Sequence, residues 1–231
     1  MLKKIMTVMM VLMMVVGLTG CSKDDSSSSS SKVSPSDDGI KIKTVDDFEE
    51  SNGLISYFTI DDHKIAIPET VGEYVNYLKQ IGTVTLNSTG QDPSEVDLPK
   101  EGISSMVAYL NVELDNGDVA HMYLRYKNPT KKTIKVSEAS VTFLEVKYDP
   151  LSENEFDKTL KNVEVVTKNG TVPLDGKMAY TKVRRLVGEP EQETDGRFIY
   201  NDDAGYKNML DCCNENRSGI FRGFSIEYPN K

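Results

Sequence analysis

Beyond residue 40 the chain alternates between short apolar stretches and polar punctuation, and the spacing of the apolar positions predicts a sheet-rich fold. Residues 55–60 (Ile-Ser-Tyr-Phe-Thr-Ile) read as a strand, 61–64 as a turn, and 65–67 as a return strand stopped by Pro68. Thr70 then offers a helix N-cap, and Glu73 completes a capping box. Val71, Tyr74, Leu78 and Ile81 recur at helical spacing with Gly82 as the stop, which predicts a short amphipathic helix lying on a sheet. Strands over 106–114 and 119–126 flank Asp115-Asn116-Gly117-Asp118, whose Asn-Gly pair favours a tight hairpin turn. Met122, Leu124 and Tyr126 alternate with Tyr123, Arg125 and Lys127, so one set faces a core. Asn128-Pro129-Thr130 turns the chain into a further strand over 133–147.

The second half repeats the opening order. Residues 163–167 form a strand, Asn169-Gly170 a turn, and 171–172 a return strand closed by Pro173. Residues 178–187 are helical, with Met178, Val183, Leu186 and Val187 on one face and Gly188 and Pro190 as the stop. Three more strands follow, at 197–200, 208–213 and 221–228. The shared order of hairpin, proline, helix and glycine is what an internal duplication gives, and short segments also resemble one another by chance. The expected class is α+β: antiparallel sheet with short helices on one face, in subdomains of 40–150 and 151–231.

The pattern before residue 40 is different. Lys3 and Lys4 precede an almost unbroken apolar run over 5–20. That run has the length of a signal-peptide core and falls short of the roughly 20 residues that span a bilayer. It ends in Leu18-Thr19-Gly20-Cys21, which resembles the lipobox of bacterial lipoproteins. The resemblance implies that residues 1–20 are a signal peptide and that Cys21 carries the lipid. The mature protein is then held on the extracytoplasmic side of a membrane, in the cell envelope. Residues 21–39, with serines throughout 26–31, are too polar to bury a core and read as a flexible tether. Lys23-Asp24-Asp25 resembles a surface-export signal of some Bacteroidetes lipoproteins; the serine tether is more like a Gram-positive one, and that reading is preferred.

Charge narrows the partners. The chain carries 27 basic and 36 acidic residues, a net charge of −9, and such a field repels nucleic acid. Of three cysteines, Cys21 belongs to the leader, and adjacent Cys212 and Cys213 make no disulfide framework and lack zinc-knuckle spacing. His63 lies beside Asp61 and Asp62, and His121 near the 115–118 hairpin; both read as turn or surface residues rather than oriented bases. No nucleophile elbow, metalloprotease helix motif or phosphate-binding loop occurs. The loops 115–118 and 201–205 carry oxygen donors without the spacing of a calcium loop. No catalytic residue, metal or cofactor is expected, and Tyr123, Phe198, Phe221 and Tyr228 read as sheet packing. One cluster stands out in the acidic chain: Lys182, Arg184 and Arg185 on the polar face of the second helix, suited to carboxylates of a partner.

Residues 178–190, with Met178, Val183, Gly188 and Pro190, and the three strands after them are similar to a helix-plus-sheet unit. That unit occurs in envelope lipoproteins of the outer-membrane assembly type and twice in the beta-lactamase inhibitor protein. The resemblance implies helices against one antiparallel sheet, used for protein–protein contact. The expectation is a non-enzymatic interaction lipoprotein that binds an envelope protein. The alternative is a small-ligand or ion-binding lipoprotein serving a transporter or sensor.

Overall fold

The computed structural model describes residues 40–104, 108–150, 152–194, 196–212 and 219–229. The expected leader, Cys21, the tether, Met106 and Cys213 lie outside the described residues. In chain order the elements are β1 (Ile55–Ile60), β2 (His63–Ala66), α1 (Val71–Leu78), β3 (Gly82–Leu86), β4 (Asp97–Leu98), β5 (Ala108–Leu114), β6 (Val119–Lys127) and β7 (Ile134–Lys135). They continue with β8 (Ser140–Lys147), β9 (Val163–Thr167), β10 (Gly170–Leu174), α2 (Tyr180–Val187), β11 (Gln192–Thr194), β12 (Arg197–Asn201), β13 (Lys207–Asp211) and β14 (Gly223–Glu227). Short 3-10 turns occupy Val45–Asp47, Val136–Glu138 and Glu155–Lys158.

All strand pairs among the described residues are antiparallel. One sheet has the order β10-β9-β1-β2 and a second the order β11-β12-β13-β14-β8-β6-β5-β3, while β4 and β7 pair separately. The described residues belong to one compact unit, and residue 150, the expected subdomain boundary, lies between β8 and β9. Both large sheets take strands from either side of that point. The fold is thus a sheet-dominated α+β arrangement.

Alternation sets which face is covered. Leu110, Met122, Leu144, Phe224, Leu210 and Phe198 are fully buried on one face of the eight-stranded sheet. Phe58 of β1 meets Phe224 edge-on with ring centroids 5.3 Å apart, so the four-stranded sheet lies on that same face. Tyr180 of α2 reaches Phe198 at 6.2 Å, and α1 packs on β2 and β3, which puts both helices on that side too. Among the described residues the opposite face carries no second layer of this kind.

The capping box forms as expected. The Glu73 N–H donates to Thr70 Oγ1 at 3.2 Å, and the Thr70 N–H donates to the Glu73 carboxylate at 3.4 Å. The helix differs in its environment: Val71, Gly72, Glu73, Tyr74, Val75, Tyr77 and Leu78 are all buried, so α1 is enclosed rather than half-exposed. Gly82 is not the helix stop. It opens β3, where a Cβ would stand 2.2 Å from the Glu113 carbonyl oxygen, so close strand approach fixes the residue. The strand expected over 133–147 is broken. The Val136 and Ser137 N–H groups donate to Val96 and Pro93, which curls the chain before β8 starts at Ser140. Pro173 does not end its strand either; β10 is an edge, and the missing N–H costs no ladder bond there.

Candidate interaction surface

Cross-strand register assembles one row over the open face of the eight-stranded sheet. Tyr109 pairs with Tyr123, Tyr123 with Glu145, Glu145 with Ser225, Ser225 with Met209, and Met209 with Ile199. Tyr109, Tyr123, Met209 and Ile199 are partly exposed there, although each is a large apolar or aromatic side chain. Charged rows flank this one. Arg125 and Phe143 continue to Glu227 and Lys207 on one side, and Lys147 continues to Gly223, Asp211 and Arg197 on the other. The Arg125 guanidinium sits over the Phe143 ring at 4.4 Å. The row is aromatic at its Tyr109–Tyr123 end, apolar at its Met209–Ile199 end and polar between them at Glu145 and the buried Ser225. Exposed aromatic and apolar side chains between charged rows are features of protein-binding surfaces.

His121 marks one end of the row. Its imidazole lies between two rings, Tyr109 at 4.3 Å and Phe156 at 3.7 Å, the latter nearly parallel at 17°. It is therefore buried, against the surface placement expected for it, because the turn Glu155–Lys158 folds onto β6. Burial lowers the His121 pKa, and the Asp157 carboxylate opposes that shift. The Tyr123 hydroxyl donates to Asp157 at 3.0 Å; burial and then that carboxylate push its pKa up to about 12. Glu145 is also raised by burial, with Lys147 at 3.2 Å acting in the opposite direction.

The residues singled out from sequence are dispersed. Lys182 and Arg185 are exposed on α2, whereas Arg184 is bound by Glu189, at 2.7 Å from its Nε, and by Glu193 at 3.3 Å. This cluster stands on the helix side of the large sheet, away from the open row. His63 is exposed at the start of β2. The loop 201–205 is a turn held by one carboxylate: Asp202 accepts from the N–H groups of Leu54, Ala204 and Tyr206 and from the Asn208 amide. Among the described residues no group of three or more potential ligands is placed to hold a metal ion. Phe198, Phe221 and Tyr228 pack in the core, while Tyr123 faces outward.

A cleft of about 350 Å³ lies elsewhere, between Glu69, Lys127, Asn128, Thr142 and Tyr228. Glu69 accepts the Tyr206 hydroxyl there at 3.1 Å.

Tyr109, Phe156, Met209 and Ile199 were not singled out from sequence. A signal for the last was present: Phe198-Ile199-Tyr200 is apolar on both strand faces, which a sheet with one solvated face does not need. No protein-family model, curated protein or solved structure matches this chain.

Proposed function

We propose that this chain is a non-enzymatic, lipid-anchored protein of the cell envelope that binds another protein through the open face of its eight-stranded sheet. The observation that carries this reading is the row from Tyr109 to Ile199, whose partly exposed aromatic and apolar side chains, Tyr109 and Tyr123 at one end and Met209 and Ile199 at the other, lie between charged rows. Charge favours a distinct, acidic partner over a second copy. The open face carries Arg125, Lys127, Lys147, Arg197 and Lys207 against Glu113, Glu145, Asp211 and Glu227, while the chain as a whole is at −9. Beneath the segment 152–158, which brings Glu153, Glu155, Asp157 and Lys158 over β6, the strands themselves carry none of the acidic surplus. Lys182 and Arg185, on the helix side of the sheet, are a separate proposed contact for the carboxylates of a partner. No helix among the described residues is long and apolar enough to cross a membrane, and the proposed anchor is the lipid on Cys21.

The two halves support a finer proposal, that one unit occurs twice. β1–β2 and β9–β10 are hairpins closed by Asp61-Asp62 and Lys168-Asn169, each is followed by a helix, and each helix by four strands of the large sheet. The two sets meet where β1 pairs with β9 and β8 with β14, first strand to first and last to last. Such a duplication makes one wide face from two narrow sheets.

Two experiments test the function. Cys21→Ala abolishes lipid labelling and membrane fractionation; unchanged labelling removes the anchor. Partner capture by in-cell crosslinking is lost in the Met209→Glu, Ile199→Glu double variant while its circular dichroism is unchanged; undiminished capture removes the open face from the account. The second reading, small-ligand binding, rests on the cleft at Glu69, whose volume is within the range of ligand sites. It requires a ligand whose thermal stabilisation disappears in Thr142→Trp.

A further inference from the structure

The chain already seats a segment of its own on the open face. After β8 the residues 152–158, Ser-Glu-Asn-Glu-Phe-Asp-Lys, turn back over β6. Phe156 stacks on His121, Asp157 accepts the Tyr123 hydroxyl at 3.0 Å, and the Asn154 amide donates to the same hydroxyl at 3.2 Å. The segment is an aromatic ring among three carboxylates, Glu153, Glu155 and Asp157, with Lys158 as its one cation. The face beneath it offers the complement: Tyr109 on the far side of His121, and Lys147 with its Nζ 5.0 Å from the Tyr123 ring. The hold is shallow. Phe156 remains 41% exposed, and a single 3-10 turn carries it, so local opening costs far less than unfolding.

We infer that Tyr109, His121 and Tyr123 form a subsite for an acidic peptide segment bearing an aromatic side chain, supplied by the partner protein, and that residues 152–158 are an autoinhibitory occupant displaced on binding. The inference rests on the open face being the docking surface and adds what docks there. An offset or stacked ring is the favoured neighbour of an aromatic cradle, and flanking carboxylates suit Lys147 and Arg125. Because the resident segment is tethered, it competes at an effective concentration on the order of millimolar without being added. A partner segment meets that competition, and its apparent affinity falls by the fraction of time the seat is open.

The chain contains no tryptophan, so a peptide Ser-Glu-Asn-Glu-Trp-Asp-Lys is the sole source of indole fluorescence in a titration against the full chain in detergent. A seat closed about nine-tenths of the time predicts roughly tenfold tighter binding to Phe156→Ala than to the unaltered chain. Adding His121→Ala to that variant removes the binding. Asp157→Asn, which keeps the ring and loosens the strap, gives an intermediate affinity and serves if Phe156→Ala loses its native circular dichroism. Equal affinity for the unaltered chain and the loosened variants, no binding to either variant, or binding indifferent to His121→Ala overturns the inference. If the peptide fails while Met209→Glu, Ile199→Glu still abolishes partner capture, the subsite falls and the docking face stands. Loss of neither measurement's signal on altering the face removes both.

Discussion

Between Tyr109 and Phe156 the His121 imidazole has its pKa lowered by burial, against the pull of Asp157. The unfolded value is about 6.5, so the neutral ring's contribution to stability is complete above that pH and is lost as the pH falls through the lower folded value. The chain has only two histidines, which makes proton NMR direct. The His121 ring resonance is expected to titrate below about 6.5, and Phe156→Ala should move its midpoint upward by restoring water. An unmoved midpoint would mean that Phe156 does not cover the ring. A second residue-scale consequence concerns Arg222 and Asp149, whose side chains are 9% and 19% exposed and which form an ion pair. Asp149→Ala withdraws that carboxylate from a buried guanidinium, and urea unfolding should show a loss of about 3 kcal/mol. A change below about 1 kcal/mol would place the pair among ordinary surface bridges.

Elements differ in how plainly the sequence announces them. The cap of α1 is a local arrangement of Thr70 and Glu73, and it forms as read. Thr70→Ala should therefore lower stability by about 1 kcal/mol in the same unfolding assay, and an unchanged midpoint would show that burial alone holds the helix. β1, the β5–β6 hairpin and β9 were equally legible, since alternation and turn chemistry are short-range. β3 is obscured although Thr83-Val84-Thr85-Leu86 alternates, because a glycine after an amphipathic run also reads as a helix stop. The break between β7 and β8 was illegible for a different reason: the carbonyls that take the Val136 and Ser137 N–H groups come from Pro93 and Val96, in a loop with no strong signal. The pairing of β14 with β8 joins residues far apart in sequence, and no local pattern encodes it. The open row inherits that limit. Tyr123 and Ile199 are each visible in their own strands, but only register puts them on one line.

At the scale of the molecule, the described sheets and helices pack on one face of the large sheet and leave its other face without a second layer, and the core is rich in tyrosine. Burial raises the Tyr228 and Tyr206 phenols well above their ordinary value, and Tyr200 is pushed up to about 12. The unfolded value is about 10, so the neutral rings' stabilisation is intact below that pH and is lost as the pH rises beyond it. Phenolate absorbance from the buried rings should then appear together with loss of circular dichroism, in one cooperative alkaline transition. Gradual ionisation with the fold intact would contradict the assigned burial. A core assembled this way supports an outer face on which Met209 and Ile199 are partly exposed although the core beneath is already filled, and that is the basis for proposing a partner for the face. The most direct test places a photo-crosslinking side chain at Ile199, on the open row, and in a parallel strain at Thr171, exposed on the outer side of the four-stranded sheet. Irradiation of living cells is predicted to give a discrete protein adduct from position 199 and none from position 171. The same adduct from both positions, or one from position 171 alone, would contradict the account.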